Sequence, residues 1–183
     1  LVGVDDAPYI FLAHHSRRVG FLSLEDEWKL LADLTLTAGL RYDDYSDFGD
    51  TTNPRLALVW GVNEDLTAKL LYGSAFRAPS FSDLGQKNNP VSLGNPNLNP
   101  EQIDTVELAF SYRLNQNLQA SLTFFDYEAK DVIEFLSDAN GVTKTAQNAR
   151  DQDGDGFELE LSWKPMSQLR LSSSYSKQDA TDA

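Results

Sequence analysis

The chain has 183 residues, a formal net charge of −13, no cysteine and 41% hydrophobic residues. With 15 Lys+Arg against 28 Asp+Glu, a nucleic-acid groove is excluded as the main surface, and the lack of cysteine excludes disulfide scaffolds, thiolate zinc sites and cysteine nucleophiles. No apolar run approaches the ~18 residues of a transmembrane helix, and a mean hydropathy of −0.40 at first describes a soluble domain.

Residues 1–19 read as a polar lead-in, without a signal peptide and without a starting methionine, so the chain reads as processed or excised. A first weak strand follows near Gly20 to Leu30. From Leu34 the chain alternates with period two. Leu34, Leu36, Ala38, Leu40 and Tyr42 share one face, and Thr35, Thr37, Gly39, Arg41 and Asp43 share the other. The pattern returns at Leu56 to Val62, Leu66 to Gly73, Val106 to Leu114, Leu118 to Phe124, Phe157 to Lys164 and Leu169 to Ser172. Alternation sends successive side chains to opposite faces of a sheet, so each segment is a half-apolar strand. The chain is all-β, with strands over 20–183.

Short links at Leu31 to Asp33, Asn63 to Asp65, Asn115 to Asn117 and Pro165 to Gln168 alternate with longer ones. The long links lie near Gly49 to Asn53, near 79–100 and near 137–150. Tight turns at one end and long polar loops at the other predict an antiparallel up-and-down meander of about eight strands, part of a large transmembrane β-barrel. Trp60, Tyr72, Tyr112 and Trp163 stand on apolar faces near strand ends, where interfacial aromatic girdles lie. A soluble β-sandwich shows the same alternation and is the competing expectation.

Two strings carry a family likeness: Tyr72-Gly73-Ser74-Ala75-Phe76-Arg77-Ala78-Pro79, then Gly94-Asn95-Pro96-Asn97-Leu98-Asn99-Pro100-Glu101. With Leu34 to Tyr42 upstream, and Tyr127 to Ile133 and Gly156 to Leu161 downstream, the sequence resembles the barrel domain of TonB-dependent outer-membrane receptors. The resemblance implies a barrel of about 22 strands closed by an amino-terminal plug, in a bacterial outer membrane. Such receptors import a scarce nutrient such as siderophore-iron, haem or cobalamin, driven by the inner-membrane TonB complex. It implies lipid and lipopolysaccharide around the wall and no nucleic-acid partner. The whole chain, 1–183, is then a partial barrel domain, with the plug and the final carboxy-terminal strand outside it.

The aromatic and amide groups Tyr45, Phe48, Phe81, Asn88 and Asn89 fall at loop tips and, with Arg77, are candidate ligand contacts. Arg77 also reads as a lumen-pointing strand end, paired with acids and stopped by Pro79. Arg41, Lys69, Glu107 and Arg113 are expected to face the lumen and its plug. Asp151, Asp153 and Asp155 sit in a D-x-D-x-D-G string that resembles the start of a calcium loop, although position 12 is Ser162 rather than Glu. Calcium is thus the one candidate cofactor, and a soluble calcium-binding β-protein is an alternative reading. The loop acids, Asp43, Asp44, Asp47 and Asp50 with those three, would present a negative surface to divalent cations bridging lipopolysaccharide. His14 and His15 are adjacent, so on a strand they point to opposite sides and make a poor metal pair. No nucleophile–base constellation emerges, so an outer-membrane enzyme is a weaker alternative and catalytic residues are expected to be none.

Overall fold

The structure is a computed structural model and describes residues 10–182. The strands are β1 (Val19–Lys29), β2 (Leu34–Tyr45), β3 (Gly49–Gly61), β4 (Leu66–Arg77), β5 (Ser92–Leu93), β6 (Glu101–Asn115), β7 (Leu118–Ser137), β8 (Lys144–Met166) and β9 (Leu169–Asp182), with one short helix, α1 (Phe81–Gly85). All pair in one sheet. The eight long strands are joined antiparallel in chain order, and two-residue β5 lies parallel to the start of β8.

The boundaries correct two expected loops. Gly49 to Asn53 opens β3, leaving only a three-residue turn after Tyr45, and most of 137–150 is strand, with a turn confined to 138–143. Neither stretch alternates apolar with polar, because neither stands against lipid; pairing with the partner strand makes it strand. Residues 78–100 join β4 to β6 and carry α1 and β5.

Register places the apolar residues on one face. Leu36, Leu58, Leu70, Leu108, Phe124 and Phe157 form a single cross-sheet row. Among the described residues nothing packs against that face: Leu24 is 73% exposed and Leu70 48%. Among the described residues the only buried hydrophobic cluster, Leu84, Leu98 and Ala146, belongs to the loop end. A sandwich would bury such a face against a second sheet, so that expectation fails.

The stagger of the short turns fixes the strand tilt. Lys29 pairs with Thr35, whose row runs on through Val59 to Lys69; the next turn closes two residues further along, at Gly61 and Thr67. The row of Thr67 runs through Ser111 to Ser121, and Arg113 pairs with Gln119 two residues beyond again. A stagger of two residues per hairpin is about one per strand. With ~3.3 Å rise and ~4.8 Å strand spacing, level turns then require strands inclined by roughly 35°, the tilt of membrane barrels. Trp28, Trp60, Tyr112 and Trp163 step by the same two residues and form one level belt at the short-turn end. Trp28 joins the expected girdle. Tyr72 leaves that belt: it lies opposite Leu56, further along the strands, and its hydroxyl donates to Asp104 at 3.1 Å.

Candidate functional site

The long-turn end carries the remaining tertiary structure. The β4–β6 loop leaves the wall at Arg77, and Ser80 caps α1: its hydroxyl accepts the Asp83 N–H while the Asp83 carboxylate accepts the Ser80 N–H. The loop then meets the lead-in, where Lys87 N–H donates to the Phe11 carbonyl at 2.8 Å.

Three of the expected ligand residues, Tyr45, Phe48 and Phe81, come together here around Arg17 of the lead-in. Tyr45 and Phe48 stack with centroids 4.5 Å apart, and the Arg17 guanidinium lies 5.5, 5.1 and 5.1 Å from the centres of Tyr45, Phe48 and Phe81. Arg17 Nε donates to both Asp47 oxygens, at 3.0 and 2.8 Å, and Nη2 donates to the Pro79 carbonyl at 2.7 Å. His15 stacks on Phe81 at 5.7 Å. The cleft beside them, lined by His15, Ser16, Asp47, Phe81, Leu84 and Pro96, holds about 170 Å³. That is below the ~300 Å³ of a typical ligand pocket and admits one small ring at most.

Arg77 is engaged on the wall itself. It sits opposite Glu101 in the β4–β6 register, and its Nε and Nη2 donate to the two Glu101 oxygens. Glu101 Oε1 also accepts the Ile133 N–H at 2.7 Å. Desolvation pushes the Glu101 carboxyl up, but the Arg77 hydrogen bonds, the Ile133 N–H and the Arg77 charge outweigh it, so its pKa lies below the usual carboxylate value. Asn88 and Asn89 shape the loop. Asn88 has φ of 58° and donates to the Ile10 carbonyl, while Asn89 Oδ1 accepts the Val91 and Ser92 N–H groups.

The β7–β8 pair extends past the apolar zone and bends at a bulge, where Asp131 adopts φ of 56°. Asn148 ties this bend to the returning loop. It accepts the Asn99 N–H at 2.9 Å and donates to the Asn99 and Asp131 carbonyls at 3.1 and 2.7 Å.

Arg41, Lys69, Glu107 and Arg113 all lie on the face opposite the apolar row. Arg41 forms a two-point pair with Asp43, whose side chain is fully buried, and lies 4.6 Å over Phe21. Arg113 reaches Asp65 at 4.0 Å. Asp43 and Asp47 are thus committed to arginines and do not form part of a free acidic loop surface.

Asp151, Asp153 and Asp155 lie within β8, not in a loop. Extended backbone spaces same-face carboxylates by about 6–7 Å, too far apart for one cation, and Asp151 Oδ1 accepts the Asp131 N–H. Among the described residues no group of three His, Asp or Glu side chains is placed to hold a metal. The D-x-D-x-D-G string has a different explanation. Gly154 lies opposite Tyr127 and Gly156 opposite Phe125, and a Cβ at either glycine would run into the facing ring. The glycines seat aromatics on one face, and the acids point to the other. Gly154→Ala is expected to cost about 1–3 kcal/mol, whereas Asp153→Asn and Asp155→Asn stay within about 0.5 kcal/mol, read by denaturant unfolding in lipid with and without calcium. Stabilisation by calcium that the asparagines abolish would restore a metal site.

A family model described as TonB dependent receptor-like, beta-barrel, matches residues 3–183. The chain belongs to that family. Its wall is 36% identical over 133 residues to the vitamin B12 transporter BtuB of Vibrio cholerae, covering 73% of this chain and 20% of that protein. It is 34% identical over 168 residues to the iron-regulated outer membrane virulence protein of the same species, covering 83% of this chain and 26% of that one. The siderophore receptor PirA of Pseudomonas aeruginosa superposes with a TM-score of 0.79 at 28% identity, over 91% of this chain and 32% of that chain. The receptor-barrel segment thus spans a fifth to a third of these relatives and stands in a bacterial outer membrane. Family members are receptors and transporters.

Proposed function

We propose that this segment is wall and loop surface of a receptor that captures a scarce nutrient, an iron chelate, haem or cobalamin, and imports it rather than transforming it chemically. The receptor-barrel match over residues 3–183 carries this reading, and the relatives' cargoes, cobalamin and siderophores, supply the ligand class. The ligand binds at the loop end, with Tyr45, Phe48, Phe81 and Arg77 contributing to the surface and Asn88 and Asn89 holding its shape. A plug then rearranges under force from the TonB complex, along a lumen lined by Arg41, Lys69, Glu107 and Arg113. The outward row of Asp126 and Glu128, opposite Asp155 and Asp153, meets the lipopolysaccharide headgroups just above the apolar band.

The 170 Å³ cleft is too small for a whole chelate, so the open surface over the aromatic cluster is the contact. The test uses the intact receptor in detergent, titrated with cyanocobalamin, haemin and ferric enterobactin while tryptophan fluorescence is followed. Saturable binding of one of the three is expected, weakened at least about tenfold, or ~1.4 kcal/mol, by Phe81→Ala. No binding of any of them would overturn the reading.

A further inference from the structure

Arg17 stands on the wall and reaches into the loop. Its neighbour Arg18 is fixed to the β2–β3 turn, since Arg18 N–H donates to Ser46 Oγ at 3.0 Å and Ser46 N–H donates to the Arg18 carbonyl at 3.1 Å. From that base the Arg17 side chain, 18% exposed and paired with Asp47, holds the outgoing leg of the loop through the Pro79 carbonyl and the Phe81 ring. The return leg is held by other means. Asn148 bonds both backbone groups of Asn99, and Leu98 packs with Ala146 of β8 in an apolar cluster that Leu84 of α1 joins from the outgoing leg.

Between these points the loop is bonded to itself. Gly94 N–H donates to the Gln86 carbonyl and Asn95 N–H to the Asp83 carbonyl, both at 2.7 Å. A Cβ on Gly94 would lie 2.6 Å from the Gln86 nitrogen, so the legs meet backbone to backbone. Such a loop is a body with its own internal packing.

We infer that the β4–β6 loop is a preassembled flap, latched to the wall by Arg17 and hinged on the β7–β8 extension. The asymmetry lies in the number and kind of tethers. One cation in a polar, partly wet setting, with His15 stacked on the same Phe81 ring, forms the latch. The hinge combines an apolar cluster, the Asn148 clamp and the β5–β8 pairing. Local opening follows the weaker set, so α1 pivots about its Leu84 contact with the hinge cluster while 96–101 stays seated. Residues 10–12 travel with the flap, because Phe11 and Ile10 are bonded to Lys87 and Asn88. The inference holds whichever nutrient the receptor takes.

Hydrogen exchange of the intact receptor in detergent, resolved by peptide, tests it. Arg17→Ala is expected to speed exchange across 79–88 by about tenfold or more, with 96–101 and 144–150 unchanged. Asn148→Ala is expected to give the reverse pattern. Arg17→Lys behaves like Arg17→Ala, since an ammonium cannot bond Asp47 and the Pro79 carbonyl while lying flat among three rings. If Arg17→Ala fails to assemble, Asp47→Asn gives the same pattern at lower amplitude. Unchanged exchange at 79–88 in these variants, or equal loosening of both legs, would overturn the latch.

Discussion

Glu101→Ala is expected to loosen the β7–β8 extension from the wall by about 2 kcal/mol, a loss typical of charged hydrogen bonds at a largely buried carboxylate. Glu101 is 17% exposed in its side chain, whereas Arg77 is 57% exposed. Solvent screens the ion pair on the Arg77 side, so the larger share of the loss is the Ile133 N–H, left without its acceptor beyond the bulge. The pH dependence follows from the lowered pKa of Glu101. A carboxylate whose folded pKa lies below its unfolded value adds stability that is complete above the unfolded value. That stability drains as pH falls from about 4.5 through the folded value. Arg77 stays charged throughout and does not set the window. Glu101→Gln keeps an acceptor for Ile133 and is expected to retain part of the stability while losing its acid sensitivity. Peptide-resolved hydrogen exchange over 131–136, corrected for intrinsic rates, reads both effects. An alanine variant that exchanges there like the parent would sink the claim.

The wall was legible because lipid on one side and water on the other force period two onto β2–β4 and β6–β8, while β1 and β9, with Asp26 and Ser173 on the apolar face, show it more weakly. Leu34 to Tyr42 and Phe157 to Trp163 announce their faces residue by residue. Above the bilayer that contrast disappears, and Lys144 to Asn148 pairs with Phe135, Leu136 and their neighbours with no apolar rhythm to mark it. The Asp151 to Gly156 string misled for a related reason. Acids two apart resemble a metal loop when only spacing is visible, and the ring seated on each glycine comes from a strand more than 25 positions away. Arg17 was still less accessible. Its partners at 45, 47, 48, 79 and 81 are gathered by barrel topology, and nothing local to residue 17 states that it will meet them.

The sharpest consequence of the face assignment concerns two adjacent residues. Leu122 pairs with Phe110 near the middle of the apolar band, between Tyr112 and the first outward acids, Asp104 and Asp126. Ser121 points to the other face, its hydroxyl 3.4 Å from that of Ser111. Apolar outward runs of seven to nine residues at the tilt derived above span roughly 20–25 Å, the height of a barrel's lipid-facing band. Leu122→Arg therefore puts a guanidinium near the bilayer midplane and is expected to cost about 2–4 kcal/mol. Ser121→Arg puts the same group on the wet face, opposite Glu160 in the register, and is expected to change stability by less than about 1 kcal/mol. Both values are read from denaturant unfolding of the intact receptor in lipid vesicles, with equal slopes required before midpoints are compared. In detergent micelles the difference should shrink, because a micelle deforms around a charge more easily than a bilayer does. Equal costs in vesicles, or a larger cost for Ser121→Arg, would mean that the apolar row does not face lipid, and the tilt, the tryptophan belt and the lumen assignment would fall with it.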